Sequence, residues 1–299
     1  MINSHSGEIA AIGVAIVWTI TALSFEYSAN RVGSLNVNLI RLPLALIYLT
    51  IFNYFTRNYA FPVDATSHQW IWLTISGIVG FVIGDMFLLK AFMLIGSRFS
   101  MLIMTLVPPL TAFLGWFFLK EKLMLYGFLG MCLTLVGILL AVNAHKDKES
   151  NKFSARSVKG ILFAISGAIG QSFGLVLSKI GMGDYNAFAA SQIRILAGIT
   201  GFFTIIILMR RINKIIPALK NKEGMKGIII GSFFGPFIGV SLSLYSIQHT
   251  HNTGVASTIM AVVPILIILP SVFIFNQKIT RVEVIATFIS VIGVALFFI

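Results

Sequence analysis

Apolar runs of about twenty residues, separated by short polar turns, fill this chain from end to end. Ten can be read off, at residues 8–28, 36–56, 69–90, 98–118, 124–143, 158–179, 187–209, 226–247, 254–274 and 282–298. A helix of that length crosses about 30 Å of hydrocarbon. The roughly ten-residue alternating segments of a membrane β-barrel do not occur. The pattern predicts an all-α membrane protein with ten transmembrane helices. The longest polar interruption, His145–Ser157, falls halfway along. It predicts two five-helix units, residues 1–143 and 158–299, joined by a polar linker at 144–157. A second polar stretch, Arg210–Lys226, joins the seventh and eighth runs.

The two units repeat each other. Moved forward by 156 residues, Gly96–Val142 falls on Asn252–Phe298 without a gap, so that Met104 meets Met260, Pro108 meets Pro264, Lys122 meets Lys278 and Gly137 meets Gly293. Nine of the 46 positions from Ser97 to Val142 are identical. Both copies read as an apolar helix with a proline near its middle, a short polar turn, and a second apolar helix with a late glycine. Upstream, an offset of 153 places Arg41 on Arg194 and Trp18 on Gln171, and an offset of 155 places Gly80 and Gly84 on Gly235 and Gly239. Five helices is an odd number, so the second unit must enter the membrane from the opposite side. The expected architecture is therefore two inverted five-helix repeats, the construction of many secondary transporters.

Composition agrees with the pattern. The chain is 57% hydrophobic and 11% charged, against about 25% charged in a soluble domain. The net charge of +12 would suit nucleic acid, but the cations sit in turns between apolar runs, so anionic lipid headgroups are the expected partner and nucleic acid is not. Sixteen Lys and Arg fall in turns after odd-numbered runs and four, Arg57, Lys120, Lys122 and Lys179, after even-numbered ones. The positive-inside rule then puts the odd turns in the cytoplasm and both termini outside. Met1–Glu8 has no basic residue, so the first helix is expected to be retained rather than cleaved as a signal peptide. Cys132 is alone and forms no intrachain disulfide.

The sequence resembles the drug/metabolite transporter superfamily, specifically its ten-helix proteins with two EamA domains. The resemblance rests on Arg41 and Arg194 early in the second helix of each half, on Val107-Pro108-Pro109-Leu110-Thr111-Ala112 followed by Leu119-Lys120-Glu121-Lys122-Leu123, and on Gly127 and Gly137. The second copy keeps Val263-Pro264-Ile265 and Gly293 but carries Gln277 where the family usually has Glu. The resemblance implies movement of a small metabolite, an amino acid, sugar, nucleotide sugar or drug, often outward, without a cofactor. Many relatives have both termini in the cytoplasm, opposite to the Lys/Arg count.

Three charges lie well inside apolar runs. Arg41 and Arg194 read either as anion-binding or gating residues facing the bundle interior, or as structurally paired arginines. The repeat sets them at opposite faces of the membrane, apart rather than around one small substrate. Asp85 reads either as the partner of Arg41 or as a proton-coupling acid, and the second half has Val240 in its place. Trp18, Thr21, Gln171, Ser172, Tyr245, Met104 and Met260 are candidates for the wall of a mildly polar substrate cavity; helix–helix glue and plain core are the alternatives for each. Gly80 and Gly84, with Gly231, Gly235 and Gly239, form small faces for close helix packing. His249-Thr250-His251 has no third ligand near it, so no metal is expected. Phosphate loops, nucleophile elbows and dinucleotide fingerprints are missing.

The expected function is secondary, non-ATP transport of a small metabolite, with amino acid export as the first substrate reading, protons as a candidate coupling ion, and a monomer or homodimer in the cell membrane. The alternatives are a multidrug exporter, an intramembrane enzyme acting on lipid, and a sensor. No enzymatic activity is expected.

Overall fold

The computed structural model describes residues 6–120, 125–144, 155–249, 253–275 and 280–296. The described residues are almost wholly helical. Six helical stretches among them are long and apolar enough to cross a membrane. One of these, Ser67–Leu119, runs for 53 residues. A straight helix of that length would measure about 80 Å, more than twice the hydrocarbon thickness. The chain folds back at Gly96, whose φ of 80° and ψ of 158° break the helix Met86–Ile103.

The first half consists of α1 (Ser6–Val32), α2 (Ser34–Arg57), α3 (Ser67–Gly77), a π-helical segment Ile78–Asp85, α4 (Met86–Ile103), a 3₁₀ turn Met104–Leu106, α5 (Val107–Leu119) and α6 (Leu125–Ala144). The second consists of α7 (Ala155–Met182), α8 (Ala187–Leu208), the short α9 (Ile215–Lys220), α10 (Lys222–Ser232), a π-helical segment Phe233–Gly239, α11 (Val240–His249), α12 (Thr253–Met260), α13 (Val263–Leu266), α14 (Ile268–Phe275) and α15 (Arg281–Leu296). The π-helical segments begin 155 residues apart, at the offset that aligns Gly80 with Gly235.

Turns are tighter than the apolar pattern predicts. A single residue, Gly33 at φ 85°, separates α1 from α2. Gly96 replaces the expected loop after residue 90, because Ala91–Ile95 is apolar enough to extend the helix. Elsewhere side chains start the helices. Thr66 and Gln69 close a capping box before α3. Asn186 accepts from the backbone N–H groups of Phe188 and Ala189 at the start of α8, and Asn221 caps α10. Each satisfies donors that a helix start leaves free.

The halves interlock rather than sit side by side. α1 packs on α10, the Phe233–Gly239 segment and α11, while α7 packs on α3, the Ile78–Asp85 segment and α4. α2 pairs with α8, and α6 with α15. Ser246 donates to Gly7 O at the start of α1. Gln248, one turn-half further on, donates to the carbonyls of Gly183 and Tyr185 just past the end of α7. The start of α1 and the end of α7 therefore share one end of the bundle. At the other end Ser28 donates to Gly224 O, and the Ser97 N–H donates to Glu26 Oε2 at 2.7 Å, capping the helix that resumes after Gly96.

Hydrophobic burial does not hold helices together in lipid, so small residues at the seams matter. A Cβ on Gly174 would lie 2.8 Å from Gly80 Cα, and one on Gly170 2.7 Å from Gly84 Cα. These contacts are backbone on backbone. The reciprocal seam is different. Cβ atoms on Gly231, Gly235 and Gly239 would strike Phe25, Thr21 and Trp18 respectively. Large apolar side chains such as Phe55, Leu208, Leu269 and Phe273 are exposed on the outside of the bundle, as a lipid-facing surface requires. Lys122, Gln277, Lys278, His251 and residues 145–154 of the expected linker lie outside the described residues.

Candidate functional site

α1 crosses the centre of the bundle and presents Trp18, Thr21 and Phe25 at helical spacing to an internal cavity. The cavity gives about 150 Å³ of room for the centres of water-sized molecules. Both halves wall it at matched places. Met101, Met104, Thr105, Val107 and Pro108 come from the first half, and Ser257, Met260, Ala261, Val263 and Pro264 from the second. All five pairs are 156 residues apart. In each copy the helix is interrupted just before the proline, by the 3₁₀ turn Met104–Leu106 and by a turn at Ala261–Val262. Proline cannot donate to the preceding turn, so backbone is freed where it lines a cavity instead of lipid.

The polar part of the cavity centres on Asp85, the last residue of the first π-helical segment, 6% exposed. Its Oδ2 accepts from the Arg41 guanidinium and its Oδ1 from the Gln171 side-chain amide. Gln171 also lies 3.3 Å from Gly80 O, and Asn38 donates to the Asp85 carbonyl at 3.4 Å. The carboxylate is thus held from α2 and α7 at once. Of the two sequence readings for Asp85 and Arg41, the ion pair is formed.

Arg194 reaches the same part of the cavity from α8. It is 4% exposed, and its guanidinium carbon stands 5.1 Å from the Phe81 ring centroid. Arg41 approaches the same ring at 5.8 Å and the Phe25 ring at 5.1 Å. Among the described residues, no carboxylate forms an ion pair with Arg194, and its Nε has no hydrogen-bond partner. The expectation that the repeat keeps the two arginines apart is corrected here. α2 and α8 are antiparallel, as the contacts of Gln192 with Asn53 and Thr50, and of Gly198 with Leu42, show. Arg41 and Arg194 each sit about 10 Å in from the start of their helix, so roughly 12 Å separates them along the axis, a gap that two extended arginine side chains close.

Of the sequence candidates, Trp18, Thr21, Gln171, Met104, Met260, Arg41, Asp85 and Arg194 line the cavity. Ser172 and Tyr245 lie elsewhere. Ser172 donates to Ala168 O and Val107 O, and Tyr245 stacks on His249 with ring centroids 4.0 Å apart. Sequence reasoning missed Phe25, Phe81, Phe92 and Ser257. The repeat held a signal for Ser257, which stands 156 residues after Met101. The hydroxyls of Thr21, Thr105 and Ser243 donate to Val17 O, Leu102 O and Val240 O on their own helices. They are engaged by backbone carbonyls.

The duplication in the sequence has a family counterpart. The EamA-like transporter family model matches twice, over residues 5–143 and 158–299. The chain belongs to the EamA-like transporter family. A solved structure, named only as the crystal structure of a protein, superimposes with a TM-score of 0.68 over 97% of this chain and 96% of its own, at 17% identity. At that identity the likeness concerns the fold alone. No curated protein matches the sequence. EamA membership makes this a multi-pass membrane protein of a small-molecule transporter family.

Proposed function

We propose that this protein is a secondary transporter that carries a small amphipathic metabolite across the cell membrane by alternating access. In this reading the chain makes ten spans, in two inverted five-helix halves that rock about the central cavity. The carrying observation is the cavity wall itself, built from Met101–Pro108 of one half and the equivalent Ser257–Pro264 of the other. A site shared by two interlocked halves is exposed to one side or the other as they tilt. The opposed directions of α1 and α7 support the inversion. The wall is mostly apolar with a few convergent polar groups, as small-molecule sites are. Amino acid export, the substrate reading drawn from the resemblance, fits a cavity that combines charged groups with aromatic rings.

Phe25, Phe81 and Phe92 together favour a second reading, a multidrug exporter. Counterflow in proteoliposomes separates the two. Vesicles loaded with an unlabelled amino acid mixture should accumulate labelled amino acid if the first reading holds. Accumulation of labelled lipophilic cations instead would establish the second. Absence of flux for every compound that binds would overturn transport and leave a sensor.

A further inference from the structure

Among the described residues, three formal charges face the cavity: Arg41, Asp85 and Arg194. Asp85 is committed to Arg41 and Gln171. Arg194 is left as a buried cation with Nε unpaired among the described residues, and Asp85 acts on it through space without an ion-pair contact. Isolated buried charge is costly, and proteins ordinarily pair it. The ring face of Phe81 supplies part of the compensation. The guanidinium also lies against Gly80, where a Cβ would stand 3.0 Å from its terminal nitrogen. Gly80 therefore leaves the space that the guanidinium occupies, and the head group is set beside the cavity rather than free to swing.

We infer that Arg194 is the anchor for a carboxylate on the substrate, and that the cavity selects small apolar carboxylic acids by charge. This rests on the transporter reading for what happens after binding, but not for binding itself. A guanidinium presents a planar fork of donors that matches a carboxylate bidentately. With Asp85 neutralising Arg41, the described lining of the site carries one net positive charge. A monoanion cancels it, a zwitterion leaves it unchanged, and a cation doubles it. Beyond the anchor, Phe25, Phe92, Met104 and Met260 offer an apolar wall for the body of the molecule. The ranking that follows is monoanion first, zwitterion second, amine excluded. Amino acids then remain substrates through their carboxylate, whereas cationic drugs do not.

Three compounds of one shape test this: phenylpyruvate, phenylalanine and phenethylamine. Their affinities for the detergent-purified protein are to be measured by calorimetry or competition. Phenylpyruvate should bind at least tenfold more tightly than phenylalanine, and phenethylamine should not bind. Arg194→Gln should weaken phenylpyruvate at least tenfold, while Arg194→Lys should retain part of the affinity. Because the charge series is read on the unaltered protein, the test stands even if a variant fails to fold. Equal binding of acid and amine, undiminished phenylpyruvate affinity in Arg194→Gln, or no phenylpyruvate binding at millimolar concentration would each overturn the assignment. Flux in proteoliposomes separates it from the transport reading. Binding with the predicted ranking but no flux leaves the anchor standing and removes transport. Flux that ignores charge does the reverse.

Discussion

Arg41 and Arg194, equivalent residues of the two halves, stand over one ring, Phe81, at 5.8 and 5.1 Å from its centroid. The repeat supplies the pair, yet among the described residues one member alone has a carboxylate ion-pair partner, because Asp85 is Val240 in the second half. An element that is symmetric in backbone has become asymmetric in charge. The cavity owes its polarity to that difference.

The ion pair should dominate local stability. Asp85→Asn leaves the buried Arg41 uncompensated, and breaking a buried pair in this way costs about 3–5 kcal/mol. The thermal midpoint of the detergent-solubilised protein should fall clearly. Replacing both partners, Arg41→Met with Asp85→Leu, should recover most of the loss, since apolar substitutes carry no desolvation penalty. If Asp85→Asn instead keeps full stability and loses only gradient-driven uptake, the acid is a coupling group.

Backbone contact at the α7 seam should be intolerant of one methyl group. Gly170→Ala puts a Cβ 2.7 Å from Gly84 Cα, where no rotamer change can relieve it. Overpacking of this kind costs about 1–3 kcal/mol. Gly13→Ala is the control, since its Cβ meets only Leu242 Cδ1 at 3.8 Å. Thermal unfolding of the two variants side by side should show a drop for the first and none for the second.

Tyr185 links three chain segments at one end of the bundle. Its hydroxyl donates to Asp64 Oδ1 at 2.9 Å, and the Arg57 guanidinium, ion-paired with Asp64, lies 5.2 Å from its ring. Burial, and then the bond to Asp64, raise its pKa from 10.0 to about 12. A phenol held protonated by the fold contributes stability that is complete below about pH 10. That contribution is lost as pH rises from 10 toward 12, where the unfolded chain gives up its proton first. Tyr185→Phe should lower stability at neutral pH and flatten the decline between pH 10 and 12 relative to the parent. Denaturation midpoints across that range check both.

Orientation can be read chemically. In a Cys132→Ser background, a cysteine at Lys214 should resist impermeant thiol reagents in intact cells, and one at Asp184 should react. The reverse pattern would place both termini in the cytoplasm.

Much of this architecture was legible because a duplication leaves two readings of every helix. The offsets of 153, 155 and 156 align Trp18 with Gln171, Met104 with Met260, and one π-helical segment with the other, and the first two pairs line the cavity. Rotational detail was not legible. Ser243 lines the cavity, but Tyr245, two residues on, is turned by about 200° and packs away from it. Ser172 is one residue past Gln171 and faces α5. The meeting of the arginines was hidden for another reason. Depth along a helix can be counted from sequence, whereas the reach of a long side chain across the gap depends on which helices are neighbours.

The two seams between the halves differ in texture. Where α7 meets Gly80 and Gly84, two backbones lie flat against each other, pinned by the bonds of Gln171 to Asp85 and Gly80 O and of Ser76 to Gly174 O. Where α1 meets Gly231, Gly235 and Gly239, three side chains are seated in three notches like teeth in a rack. Displacement along that line must unseat them together. If the halves rock as proposed, the two seams would yield differently: the glycine seam by exchanging a few hydrogen bonds, the toothed seam by unseating three side chains at once. A molecule built twice from one pattern has in this way acquired two unlike sides.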